Sequence, residues 1–215
     1  MIKITKLPKP KILEENDTQW TQEYQRALNK EIPLTDTIKN RYNQEEIKQT
    51  LTEETHGKCA YCESKIKHIS FSDIEHILPK SKRPDLYVEW TNLTISCEVC
   101  NRINKNDYYK PDDPLIHPIF DNPSEHLMAL GAILYKVPGS RKGELTISIL
   151  DLNRTDLIEK RREKLTAFQM LVDKYITESN PKLKNILREE ILRETSENSE
   201  YSFMLSSYLK YANII

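Results

Sequence analysis

All four cysteines of the 215-residue chain fall in two short pairs, Cys59-Ala-Tyr-Cys62 and Cys97-Glu-Val-Cys100. A Cys-x-x-Cys turn lets two thiolates share one ion, and two such turns complete the tetrahedron that zinc prefers. A redox pair needs no duplicate, and no βαβ pattern of the thioredoxin kind surrounds either one. The spacing therefore predicts a structural zinc held by Cys59, Cys62, Cys97 and Cys100. A closed set of four thiolates leaves no open coordination position, so this metal is expected to shape the chain, not to react. It pins the ends of the loop Glu63–Ser96, which is too small to build its own core.

The composition sets the outer limits. The formal net charge is −1 and the isoelectric point is about 6.5, which excludes a strongly basic coat for nucleic acid. No apolar run reaches the length of a membrane span. The first residues, MIKITKLPKPKILEEN, lack the apolar stretch of a signal peptide. A cytoplasmic protein without a membrane segment is expected, with its thiols reduced and open to metal.

Three regions are expected. Residues 1–56 read as an extended arm to residue 15, held open by Pro8 and Pro10, followed by helices. Asn16 or Asp17 is a candidate cap for the first, which carries Trp20, Tyr24 and Leu28 on one face. The second is capped by Thr35 or Asp36, carries Ile38, Tyr42, Ile47 and Leu51, and stops at Gly57. Residues 57–110 hold short apolar pieces and the cysteines. Residues 111–215 begin with a loop, PDDPLIHPIFDNPSEH, whose four prolines exclude regular structure. A hairpin is expected next, AILYKV against ELTISIL around PGSRKG. Helices then follow from Asn153 onward, the first with Leu157, Arg161, Leu165, Phe168, Val172 and Tyr175 on one face. The last helix is apolar almost all round, which predicts that it is buried or docked.

Inside the loop between the cysteine pairs, IEHILP sets Glu75 and His76 side by side between isoleucines. A carboxylate and an imidazole are costly there unless something engages them. Neighbouring strand residues face opposite sides, so both serve one site only if the backbone twists or the site lies at the strand end. Further on, WTNLTISC supplies Asn92, and CEVCNRINK supplies Asn101, Arg102 and Lys105.

Over about residues 57–106 this combination resembles the HNH endonuclease family: an acid-His-Ile-x-Pro run, an Asn-Leu, then Cys-x-x-Cys followed by Asn. The resemblance implies an α+β fold, in which a zinc-stapled ββα-metal core lies between mostly helical N- and C-terminal regions. It implies metal-dependent hydrolysis of phosphodiesters, with His76 as general base and Asn92 holding the loop and orienting that base. Glu75 and Asn101 would be the ligands of a catalytic divalent ion. Glu75 stands where Asp is usual, and Lys105 where some members have a further His. Two oxygen ligands with watered positions suit Mg²⁺ or Mn²⁺. Arg102 and Lys105 are phosphate candidates, with solvated helix residues as the equal alternative. A neutral imidazole of ordinary pKa, about 6.5, would make activity rise through roughly pH 6 to 7.5.

The flanks, HGKCAYCE, DPLIHPIFDNPSEHL and LDLNRTDLIEKRR, resemble one HNH subgroup, the nuclease subunit of Septu-type antiphage systems, which also occurs with some retrons. That implies an ABC-type ATPase partner. Residues 58–110 carry nine Lys or Arg against seven Asp or Glu, a weak footprint for a nuclease that grips nucleic acid alone. DNA is the expected substrate, with RNA or tRNA as the alternative. A zinc-ribbon adaptor that binds nucleic acid or protein and cuts nothing is the competing reading. Tyr61, Tyr108 and Tyr109 can stack on bases or simply pack. His56, His68, His117 and His126 have no evident ligand partner, and His117 reads as a packed or loop histidine, with an approach to the site as the alternative.

Overall fold

The computed structural model describes residues 1–66 and 73–214. His68, named from the sequence, lies outside these. Helix α1 spans Lys11–Leu28, α2 Asp36–Asn40 and α3 Glu45–Glu54. Strands β1 (Asp73–His76) and β2 (Leu93–Ser96) pair antiparallel, with Glu75 opposite Thr94 and His76 opposite Leu93. A π-helix, Val99–Lys105, follows. Strands β3 (Leu127–Leu130) and β4 (Ile133–Lys136) form a second antiparallel pair. The chain closes with α4 (Arg141–Ile149), α5 (Thr155–Thr177), α6 (Pro181–Glu194) and α7 (Ser202–Ala212). Two strands, the cysteine knuckles and a short helix thus sit between helical regions, as expected. No helix is long and apolar enough to cross a membrane among the described residues.

One hydrophobic core runs through all three regions. It joins Leu13, Ile47 and Leu51 to Leu93 and Ile95 of β2, and to Leu157, Phe168, Val172 and Leu205 of the C-terminal helices. The apolar face read on α5 is the buried one, Arg161 included, whose guanidinium donates to the Leu152 carbonyl at 2.7 Å. Helix α7 buries Met204, Leu205 and Leu209.

Three local expectations are corrected. Helix α1 begins at Lys11, not after Asn16, because Pro10 stands at its threshold with φ −59°. A proline costs nothing where no N–H bond is required. Asn16 lies inside the helix and donates to the Ile12 carbonyl at 2.9 Å. The second expected helix is two helices. Thr35 caps the first, accepting from the Ile38 N–H. The break at Arg41 is held by the Arg41 N–H donating to the Tyr87 hydroxyl at 3.1 Å and by an ion pair from Arg41 to Glu23.

The hairpin exists one strand earlier than expected. Residues LMAL, not ELTISIL, pair with ILYK, across a turn in which Gly131 takes φ +60°. ELTISIL is helical despite its β-branched residues. Ser140 caps α4 by accepting from the Gly143 N–H at 3.0 Å. Thr146 is fully buried, accepting from the Ile116 N–H and donating to the Lys142 carbonyl, both at 2.8 Å. Tertiary packing overrides propensity here. The outer edge of β4 is closed by Asn153, whose side-chain amide bonds both backbone groups of Leu134 at 2.8 and 2.9 Å.

A Cβ at Gly143 would stand 2.1 Å from the His126 carbonyl oxygen, so α4 docks on the hairpin only through a glycine. Gly143→Ala is expected to cost about 1–3 kcal/mol. An unchanged urea midpoint would show that this contact is not what seats the helix.

Candidate active site and metal centre

The two knuckles are shaped by backbone bonds. Cys59 N–H donates to the Ser64 carbonyl at 2.9 Å, and Glu63 N–H to the Cys59 carbonyl at 3.0 Å, with Glu63 in the left-handed region at φ +65°. The Ala60 N–H donates to Ile95 of β2 at 3.0 Å, which fixes the first knuckle to the sheet. The second knuckle opens the π-helix, where the Asn101 N–H donates to the Cys97 carbonyl at 3.0 Å. All four thiols are free of disulfides and buried. Their sulfurs lie within 4.8 Å of one another, and Cys62 and Cys97 are 3.8 Å apart. Sulfurs about 2.3 Å from a tetrahedral ion stand roughly 3.8 Å apart, so the cluster fits one four-coordinate metal. The Arg154 guanidinium lies 3.9 Å from the Cys100 sulfur; burial works against its charge, but the negative sulfurs of Cys100 and Cys62 raise its pKa. The sequence reading missed this cation, which offsets part of the negative charge of a four-thiolate site.

Glu75, His76, Asn101, Arg102 and Lys105 line one cleft of about 440 Å³, together with Tyr42, Asp73 and Lys80. His76 is the last residue of β1, so neighbouring residues reach one site because the strand ends there. The His76 Nε2 is 2.8 Å from the Tyr87 carbonyl oxygen. A carbonyl only accepts, so Nε2 carries the ring proton and Nδ1 keeps a lone pair. Tyr42 packs edge-on against the imidazole at 4.6 Å, placed by the break between α2 and α3. Tyr87 is itself stacked on Tyr24 of α1 at 4.1 Å. Burial, helped by Lys80 and Lys105, lowers the His76 pKa to about 3. The imidazole is therefore neutral throughout pH 6 to 7.5, and the rise expected there from an ordinary histidine is corrected.

Glu75 is 2% exposed. Its Oε1 accepts from the Tyr61 hydroxyl at 3.2 Å and pairs with the Lys105 ammonium at 2.5 Å. Lys105 also donates to the His76 carbonyl at 3.0 Å. Burial pushes the Glu75 carboxyl up, against the pull of Lys105. The sequence left Lys105 as either a phosphate contact or a solvated helix residue. It is instead 3% exposed, with its ammonium on Glu75. Arg102 is exposed and pairs with Asp73 at 2.7 Å. The better placed cation is Lys80, which the sequence reading passed over. Its Nζ donates to the Lys39 carbonyl at 2.8 Å and lies 4.2 Å from the Tyr42 ring centroid. Burial lowers its pKa to about 8. No carboxylate pairs with it among the described residues.

Asn92 is outside the cleft and buried behind it. Its side chain accepts from the Leu78 N–H at 2.8 Å and donates to the carbonyls of Leu78 at 3.0 Å and Leu86 at 3.2 Å. It ties together the two ends of the segment from Leu78 to Leu86, beside the Tyr87 carbonyl that holds His76. Asn92→Ala would leave three backbone groups without partners, at about 1–3 kcal/mol each where water cannot replace them. The expected outcome is a urea midpoint lowered by at least one such increment. A midpoint equal to wild type would show that the segment is held by other contacts.

Comparison with known proteins agrees with this geometry. The family model described as HNH endonuclease matches residues 59–107. The Septu protein PtuB of Bacillus mycoides (strain KBAB4) is 32% identical over 195 aligned residues, covering 75% of this chain and 66% of that protein. The Septu protein PtuB of Bacillus thuringiensis is 38% identical over 112 residues, 51% of this chain and 42% of that protein. A third relative, the Septu protein PtuA of Bacillus mycoides (strain KBAB4), is 31% identical over 166 residues, 62% of this chain but 23% of that protein. The chain thus spans about two thirds of the first relative's length and less than half of the second's. Residues 59–107 carry the match to the HNH endonuclease family, and the relatives of the chain are Septu proteins.

Proposed function

We propose that the chain is a metal-dependent endonuclease that hydrolyses nucleic-acid phosphodiesters in Septu-type antiphage defence. One observation carries the reading. A buried, neutral His76 keeps a free Nδ1 lone pair in the same cleft as Glu75 and Asn101. In this role Nδ1 takes the proton of an attacking water, while Nε2–H stays on the Tyr87 carbonyl and fixes the ring. Asn92 acts through that carbonyl as a positioning residue. Glu75 and the Asn101 amide would hold Mg²⁺ or Mn²⁺, which supplies charge neutralisation at the phosphate and the leaving oxygen. Glu75 Oε1 is engaged by Tyr61 and Lys105, and Oε2 makes no hydrogen bond among the described residues. Lys80 and Arg102 would meet substrate phosphate. Zinc is the ion proposed for Cys59, Cys62, Cys97 and Cys100, with no part in the chemistry.

DNA is the proposed substrate class and RNA, including tRNA, the alternative, because nothing in the cleft requires or excludes a 2′-hydroxyl. The near balance of charge supports a partner that lends affinity. An ABC-type ATPase is the proposed one, acting with this chain in the cytoplasm. Leu183, Ile186 and Leu192 leave apolar surface on α6 where such a partner could dock.

The adaptor reading keeps one observation of its own. The Lys105–Glu75 pair already neutralises the carboxylate, as a purely structural ion pair would. The two readings part at His76. Nicking of plasmid DNA and cutting of a labelled tRNA pool, with Mg²⁺ or Mn²⁺ and with or without the partner, should fall about 10²–10⁴-fold in His76→Ala. Zinc content and circular dichroism should not change. Cys97→Ser should lose both fold and cleavage. Absence of cleavage from wild type under every condition would favour the adaptor, whereas cleavage that survives His76→Ala would refute His76 as its base.

A further inference from the structure

A second cavity, of about 370 Å³, lies against the first and shares Lys105 with it. Its floor is Ile77 and Leu78, the two residues that follow His76. Tyr61, which donates to Glu75, stands in the partition. The remaining lining sets the aromatic rings of Tyr108, Tyr109, His117 and Phe120 among prolines, aliphatic side chains and a few charged ones. We propose that this cavity receives one unstacked nucleobase of a single-stranded segment flanking the phosphodiester bond cut beside His76. The inference rests on the nuclease reading and adds the substrate feature that reading left open.

Four features support it. First, Phe120 is 64% exposed at the cavity mouth, with its ring stacked on His117 at 4.5 Å and 30°. A large ring left in water beside a preformed aromatic wall is a stacking platform, since every base has a π-face to lay on it.

Second, the wall carries a donor for a base edge. His117 Nδ1 accepts from the N–H groups of Ile119 at 3.3 Å and Phe120 at 3.4 Å. Nε2 therefore carries the proton, and it has no partner among the described residues. Burial lowers the His117 pKa to about 4, so the ring offers one neutral donor, of the kind a base carbonyl accepts.

Third, the charges suit a base followed by its phosphate. Lys142 is spent on Asp121, at 2.9 and 3.0 Å, so the acid in the wall is neutralised. Lys110 is exposed, near the Tyr108 ring at 5.9 Å, with no ion pair among the described residues. Fourth, the wall is held in place before any ligand arrives. The proline-rich loop is anchored by the Ile116 N–H on Thr146, by Ile4 N–H on the Pro118 carbonyl at 2.8 Å, and by the Tyr108 hydroxyl on the Asp113 carbonyl at 2.8 Å. A cavity of this size sits at the small end of ligand pockets. It admits a base only once that base has left its stack.

The test uses the full chain carrying His76→Ala, so that substrate is bound and not cut. Its binding to a single-stranded oligonucleotide containing 2-aminopurine, and to the matching duplex, is followed by fluorescence. Bound single strand should quench the probe through ring stacking. Adding Phe120→Ala should weaken single-strand binding about 5- to 100-fold, leave duplex binding unchanged and abolish the quench. Phe120→Trp should restore all three. Because Phe120 is exposed, its truncation leaves the core intact, and circular dichroism checks this. Equal single-strand binding by Phe120→Ala, equal losses on both substrates, or no binding to either would overturn the pocket. Cleavage by the otherwise wild-type chain, with and without Phe120→Ala, separates the two readings. His76-dependent cleavage with no Phe120 effect refutes the pocket alone, whereas absence of His76-dependent cleavage refutes the nuclease.

Discussion

Four sulfur atoms within 4.8 Å of one another decide where every other part of the site stands. Cys62 and Cys97 are far apart in sequence, and between them the described residues form two short strands. Four residues per strand cannot make a stable pair alone. A shared ion converts its binding energy into folding energy. Bound at the four sulfurs, it would hold β1 beside β2, with His76 at the strand end and Asn101 on the next turn of helix. Arg154 joins the start of α5 to the cluster, which ties the C-terminal helices to the same point.

The proposed chemistry also needs a neutral, oriented imidazole, and much of the N-terminal region packs around the His76 ring. Tyr24 of α1 backs Tyr87, whose carbonyl holds the His76 ring. The break between α2 and α3 turns Tyr42 against that ring. Lys6 of the N-terminal arm pairs with Glu54 at 2.7 Å, reaches the Leu93 carbonyl at 3.0 Å and sits 3.4 Å over Trp90. These contacts brace the sheet from behind. The helical flanks are therefore part of the site's support, which explains how one core comes to run through them all.

Motifs whose geometry is local were legible in the sequence. The cysteine pairs, the adjacency of Glu75 and His76, and the face of α5 all follow from spacing, and the structure keeps them. The misreadings share a different cause. ELTISIL is strand-like by composition, but Ser140, Gly143 and Thr146 make helical bonds that only the packed hairpin and loop make worthwhile. Lys105 reads as a surface cation because the sequence cannot show Glu75 beneath it. The depressed pKa of His76 is likewise a product of burial by residues distant in the chain. The sequence singles out Asn92, but its partners, Leu78 and Leu86, follow only from the folded turn.

The claim that the cysteine cluster builds the cleft can be tested without reference to catalysis. The measurement is hydrogen exchange across residues 73–105, before and after removal of the metal by a chelator, with zinc content determined in parallel. The account requires about one zinc per chain. On removal, it requires loss of protection in β1, β2 and the π-helix, while the exchange of α5 and α6, whose mutual packing lies away from the cluster, changes less. Protection of β1 and β2 that persists in fully zinc-free protein would contradict it, and would mean that the flanking helices alone hold Glu75 and His76 in place.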